Sequence, residues 1–160
     1  MNDAHRKAGE KGVSPMSPHL VCNGAAEAMD FYAKAFGARE LARLKGPTGG
    51  IMHGCMQING GSIMLVDANP DYGMVGPDAL GGSPVTLHLI VDDVDAWMKR
   101  AVDAGAKETM PADDMFWGDR YGMITDPWGH NWAFATPQKD LTEAEILEGM
   151  KAMMDQSCQD

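Results

Sequence analysis

Thr86–Ala106, TLHLIVDDVDAWMKRAVDAGA, reads as one strand running into one helix. Thr86 to Val91 is a short aliphatic and β-branched run with a single polar break at His88, the pattern of a strand with a buried face. Asp92 and Asp93 supply an N-cap, Val94, Trp97, Ala101 and Ala104 recur at helical spacing, and Gly105 ends the helix. Pro18–Ala38, PHLVCNGAAEAMDFYAKAFGA, repeats this order. His19-Leu20-Val21 answers His88-Leu89-Ile90, Asn23 answers the aspartate cap, and Phe36-Gly37-Ala38 answers Ala104-Gly105-Ala106. The offset is 69 residues at the histidines and 68 at the glycines. The chain is built on a duplicated strand–helix unit.

Outward from these two stretches the rest follows in order. Residues 1–14 are polar and aperiodic and read as a flexible arm. In the first module (15–68), a helix is expected from Ala25 to Phe36 and a strand near Glu40–Leu44. Ile51–Ile58 and Ser62–Val66 follow as strands joined through Asn59-Gly60-Gly61, a strong hairpin signal. Residues 69–84 form an inter-module loop rich in Gly, Pro, Asp and Asn. The second module (85–137) repeats the pattern, with a strand near Lys107–Met110 and an aromatic, acidic loop over Pro111–Arg120. Strands Tyr121–Thr125 and Asn131–Thr136 close it around the turn Asp126–Gly129. The tail (138–160) opens on the capping box Thr142-Glu143-Ala144-Glu145. It carries an apolar stripe of Leu141, Ile146, Leu147, Met150, Met153 and Met154, which must dock on the body or on a partner subunit. The fold class is α+β: two tandem βαβββ modules.

Composition narrows the function. With 13 basic against 23 acidic residues the net charge is −10, which argues against nucleic acid or an anionic membrane as partner. No apolar run reaches membrane-spanning length, and the N-terminus has no signal-peptide core. Cys22, Cys55 and Cys158 are odd in number and widely spaced, which suits a reducing cytoplasm better than a disulfide framework. The 14 methionines read as adaptable core filler.

Three segments, SPHLVCNGAAEAMDFYAKAFGA, GGSPVTLHLIVDDVDAW and FWGDRYGMITDPWGHNWAFAT, resemble the vicinal oxygen chelate superfamily, and its PhnB-like branch in particular. That superfamily includes glyoxalase I, bleomycin-resistance proteins, fosfomycin-resistance enzymes and extradiol dioxygenases. The resemblance implies an open mixed β-sheet curled around a cavity, and commonly a homodimer. It also implies metal ligands on the first and last strand of each module, here at Ser17, Thr86, Met64 or Leu65, and Ala133. Those residues are poor donors or none, so no metal and no other cofactor is expected there.

What remains are other side chains. His19 and His88 lie two residues beyond the implied ligand positions, so strand parity puts both on the concave side, one pleat deeper. They are structural histidines, a catalytic acid–base pair, or ligands of a displaced divalent metal with His53 as third donor. Phe116, Trp117, Arg120 and Tyr121, together with His53, are candidate ligand-binding residues, the aromatics stacking on a planar body and the arginine fixing one anionic group. Their structural alternative is Arg120 paired with Asp119 or Asp126 and Trp117 closing the barrel end. His130 is read as bracing its hairpin, and Cys22 and Cys55 as inert core thiols. The expected function is small-molecule binding in the concave cavity, with a superfamily lyase, isomerase or dioxygenase-type enzyme as the alternative and pure association as a third option.

Overall fold

The structure is a computed structural model describing residues 2–157. Helix α1 (Asp3–Glu10) precedes the first module, which runs β1 (His19–Cys22), α2 (Ala25–Phe36), β2 (Arg39–Lys45), β3 (Ile51–Ile58) and β4 (Gly61–Asp67). A short 3-10 turn (Pro70–Tyr72) and the single-turn α3 (Pro77–Leu80) punctuate the linker. The second module is β5 (Thr86–Ile90), α4 (Val94–Ala104), β6 (Lys107–Asp114), β7 (Asp119–Thr125) and β8 (Asn131–Pro137), followed by α5 (Glu143–Ser157). The strand orders β1-β4-β3-β2 and β5-β8-β7-β6 are the same arrangement twice, with the first strand parallel to the last and the rest antiparallel.

Helix α2 forms where the apolar spacing placed it. Ala25, Ala28, Met29, Tyr32, Ala35 and Phe36 are buried along one stripe, and Gly37, at φ 64, ends the helix in the left-handed conformation that glycine tolerates. Its start differs from the expected Asn23 cap. Gly24 occupies the cap position, and Asp67 at the end of β4 accepts the amides of Gly24 (3.0 Å) and Ala25 (2.9 Å). The negative carboxylate at the helix N-terminus comes from 43 residues downstream of Gly24. In α4 the expected cap holds, with Asp93 accepting from the Ala96 amide at 3.0 Å.

Each module shares one packing device. Met29 of α2 covers Gly54 of β3, and Met98 of α4 covers Gly122 of β7. A methyl group at Gly54 would stand 2.8 Å from Met29 Sδ, and one at Gly122 would stand 2.1 Å from Met98 Sδ. These two methionines are therefore core filler in a specific sense: the strand thins to let the sulfur in.

The modules join through aromatic rings and one carboxylate. α2 packs on α4, and Trp132 of β8 lies with its ring centroid 4.8 Å from Phe36 and 5.3 Å from Tyr32. Asp126, buried in the β7–β8 turn, accepts from Tyr32 Oη (2.6 Å) and Trp132 Nε1 (2.9 Å) on one oxygen. Its other oxygen accepts the amides of Trp128 and His130, both at 3.0 Å. A second-module turn is thus locked to the first module's helix. Burial, reinforced by the Asp126 charge, pushes the Tyr32 hydroxyl well above its ordinary value.

Three further features differ from the sequence reading. The N-terminal arm contains a helix, α1, with no buried residue. It is held by the Asn2 cap on the His5 amide and by ion pairs of Arg6 with Asp3 and Glu10 and of Lys7 with Asp3, a stabilisation with no apolar period. The expected loop over Pro111–Arg120 is mostly strand and tight turn, because β6 continues through Pro111 to Asp114 and the chain reverses over Met115–Gly118. Pro111 is tolerated because β6 is an edge strand, where a missing amide costs no ladder bond. The linker is not wholly irregular, as its 3-10 turn and α3 show. The tail forms its capping box, with the Thr142 amide donating to Glu145 at 2.7 Å, and Gly149 of α5 rests on Phe116 of its own chain. Cys158 lies outside the described residues.

Candidate functional site

Burial alternates along the first strand of each module and fixes which face each side chain takes. In β1, Leu20 and Cys22 are buried beneath α2 while His19 is exposed. In β5, Leu87 and Leu89 pack on the core while Thr86, His88 and Ile90 are exposed. His19 and His88 therefore stand on the faces turned away from the helices.

The second module's open face carries a continuous row of rings. His88 and Tyr121 lie nearly parallel with centroids 6.0 Å apart, Tyr121 meets Trp117 edge-on at 5.7 Å, and Trp117 meets Phe116 edge-on at 5.0 Å. His88 and Tyr121 come from strands that do not pair; β8 runs between them. They meet because β8 presents only Ala133 and Ala135 there, opposite His88 and Tyr121 respectively. A larger side chain at either alanine would hold the rings apart. The alternation of small Ala133 and Ala135 with bulky Trp132 and Phe134 was visible in the sequence as a period-two pattern, but its meaning needed the strand order. Trp117 is oriented by its indole N–H donating to Asp119 Oδ2 at 3.2 Å.

Arg120 does not join this row. β7 alternates, so Arg120 shares the helix-covered face with Gly122 and Ile124, and its guanidinium forks onto Asp95 of α4 at 2.5 and 2.8 Å. A third bond reaches Asp114 at 3.1 Å. Neither Asp119 nor Asp126 is its partner. The Arg120 fork holds the Asp95 carboxyl below the usual carboxylate range. The open face of the row instead carries Asp113, opposite Tyr121 in register, and Asp119.

His53 and His19 lie on the first module, away from the rings. His53 is half-buried opposite Leu44, and His19 pairs in register with Met64. His19 and His88 line two different clefts along the line where β1 and β5 approach, and both clefts are flanked by Pro18, Val85 and Leu87. His130 braces more than its own hairpin: it is buried with Nε2 3.2 Å from the Val21 carbonyl oxygen, tying the second module to β1. Cys22 and Cys55 are buried free thiols, and burial raises both above the ordinary thiol range.

The ligand positions implied by the sequence resemblance do not fit a divalent metal. Ser17 Oγ shares a hydrogen bond of 2.6 Å with Ser62 Oγ, and Thr86 pairs in register with Asn131. Leu65 is fully buried in the core, so only Met64 shares a face with His19. Hydroxyl, thioether and methyl groups are not a Zn²⁺, Mn²⁺ or Fe²⁺ donor set. Among the described residues, no three of His, Cys, Asp and Glu stand close enough to hold an ion.

Comparison with known proteins agrees with this architecture. The family model of the Glyoxalase/Bleomycin resistance protein/Dioxygenase superfamily matches residues 15–134. An uncharacterised protein of Mycobacterium tuberculosis is 45% identical over 161 aligned positions, covering 95% of this chain and 94% of the relative. The crystal structure of TioX from Micromonospora sp. ML1 superposes with a TM-score of 0.61 at 28% identity, over 78% of this chain and 98% of that one. TnmS3, an antibiotic binding protein from Streptomyces sp. CB03234, superposes with a TM-score of 0.57 at 27% identity, over 75% and 92%.

Proposed function

Because the chain belongs to the Glyoxalase/Bleomycin resistance protein/Dioxygenase superfamily, we propose that it binds a small organic molecule with a planar body on the open face of its second module. The observation that carries this reading is the row His88, Tyr121, Trp117 and Phe116. Ring faces and edges over an alanine floor suit a flat apolar ligand. The likeness to TnmS3 supports the same class. With Arg120 committed to Asp95, and Asp113 and Asp119 beside the rings, the ligand is neutral or cationic rather than anionic.

The test is a fluorescence titration with a planar cationic dye, acridine orange, at physiological salt so that long-range attraction to the acidic chain is screened. Saturable binding to one site per chain is expected. Trp117→Ala should weaken it by about 1–3 kcal/mol, the scale of losing an anchor residue in a small site. Arg120→Ala should leave the affinity unchanged and lower the melting temperature. If Trp117→Ala instead melts early and keeps full affinity, the row is a structural plug.

A second reading is acid–base catalysis by His19 and His88, with or without a displaced metal. It is favoured by one observation, that both clefts holding these histidines share Pro18, Val85 and Leu87. No helix among the described residues is long and apolar enough to cross a membrane. The buried reduced thiols Cys22 and Cys55 fit a reducing compartment, and we place the protein in the cytoplasm.

We also propose a homodimer. Leu44 (54% exposed) and Ile90 (54%) present apolar surface on the open sheet faces, and Leu147 (45%) does so on α5. Sedimentation at micromolar concentration should give twice the chain mass. A chain cut after Gln138 that still dimerises would show that the sheet faces, and not α5, form the interface, whereas a single-chain mass for the full protein would contradict the assembly.

A further inference from the structure

We propose that the cleft under the linker is a second binding site, for a compact neutral molecule with an apolar body and one hydroxyl donor. The cleft has a volume of about 340 Å³, and none of Phe116, Trp117 or Tyr121 reaches it. β1 and β5 wall it with Leu20, Val21 and Leu87, and the linker roofs it with Val75, Pro77 and Leu80. His130 and His19 supply its imidazoles.

His130 gives the cleft its polar specificity. The Val21 carbonyl can only accept, so in the neutral imidazole the His130 nitrogen 3.2 Å from it, Nε2, carries the proton and Nδ1 the lone pair. Among the described residues Nδ1 has no hydrogen-bond partner, yet no fully buried side-chain nitrogen or oxygen is left without one. Nδ1 therefore keeps access to the molecular surface, and His130 lines this cleft. Ser83, the hydroxyl side chain on the wall, is spent on its own turn, since it pairs with the Val85 backbone, and His19 stands on the exposed side of β1. An acceptor at the floor of an apolar cleft selects a hydroxyl donor, and a carboxylate would meet a lone pair there.

The duplication provides an internal control. The other end of the β1/β5 line holds an equivalent cleft of about 370 Å³, in which Ser14, Met16 and Pro18 take the places of Ser83, Val85 and Leu87, each 69 residues earlier. The same offset places Gly61 where the first cleft has His130. The fold makes two clefts, and each holds its first-strand histidine, His19 in one and His88 in the other; His130 is the imidazole that only the first carries.

The experiment uses the full-length protein with 4-fluorophenol, fluorobenzene and 4-fluorobenzoate as probes, followed by fluorine and amide NMR. The phenol should saturate and shift the amides of Val21, Leu80 and Leu87. Fluorobenzene should bind roughly tenfold more weakly, the factor carried by one hydrogen bond, and the benzoate more weakly still. His130→Phe should erase the preference for the hydroxyl. Leu80→Lys, at a rim position 66% exposed, should weaken both neutral probes without changing the melting temperature. Trp117→Ala should change nothing here, which separates this site from the aromatic row. Shifts confined to Trp117 and Tyr121, absence of saturation, or equal affinity for phenol and fluorobenzene would overturn the proposal. If His130→Phe does not fold, the wild-type ratio of the two probes and Leu80→Lys decide it.

Discussion

Asp126→Ala should destabilise the protein by about 3–5 kcal/mol, measured by urea unfolding. The substitution strands the Tyr32 hydroxyl, the Trp132 indole N–H and two turn amides in a buried junction, and each unsatisfied buried group costs about 1–3 kcal/mol. Solvent entering the gap recovers part of that sum. Tyr32→Phe removes only one donor and should cost less. It should also soften the alkaline limb of the stability profile. Tyr32 holds its proton more tightly when folded, so its contribution is complete below the unfolded tyrosine value of about 10 and is lost as pH rises beyond it. An Asp126→Ala protein within about 1 kcal/mol of wild type would mean that the aromatic stack alone holds the modules together.

Gly122→Val should be the other severe change. A methyl group at Gly122 already lies 2.1 Å from Met98 Sδ and 3.2 Å from Ala112 Cα, so the backbone of β6 blocks one escape and the buried core around Met98 the other. Overpacking of this kind costs typically about 1–3 kcal/mol, and valine adds two further methyls. Met98→Ala in the Gly122→Val background should restore part of the loss, because it removes the clashing sulfur. If the double variant is no more stable than Gly122→Val alone, the strain lies in the β6 backbone and not in the methionine. The equivalent pair, Met29 and Gly54, should respond in the same direction with a smaller effect, since the approach there is 2.8 Å.

How much of this was legible in the sequence depended on range. Ala25–Phe36 was readable to the residue because its buried stripe and its Gly37 stop are both local signals. Asn59-Gly60 announced its hairpin because both residues sit at positive φ, 45° and 81°. The rings of Phe116, Trp117 and Tyr121 were recognised as a group for the same reason: they are near neighbours. Helix α1, held by its own cap and ion pairs, was a local miss, but at the site the failures were long-range. Asp67 caps α2 in place of Asn23, and Arg120 turns to Asp95, twenty-five residues back on a helix. Strand parity placed His19 and His88 away from the helices but said nothing of their separation, and the two line different clefts. The stacking of His88 on Tyr121 across Ala133 and Ala135 required the β5-β8-β7 order, which no local pattern encodes.

The central claim is that this member of the superfamily binds its ligand with rings, and that its Ser17, Thr86, Met64 and Ala133 positions do not hold a metal. Elemental analysis of the protein, purified without chelators from a medium supplemented with zinc, manganese, nickel and iron, tests it most directly. The account predicts substoichiometric metal, unchanged in His19→Ala and His88→Ala, with acridine orange bound equally well before and after dialysis against a weak chelator. One ion per chain that survives that dialysis and disappears in His19→Ala or His88→Ala would contradict it and make those histidines the ligands of a displaced metal centre.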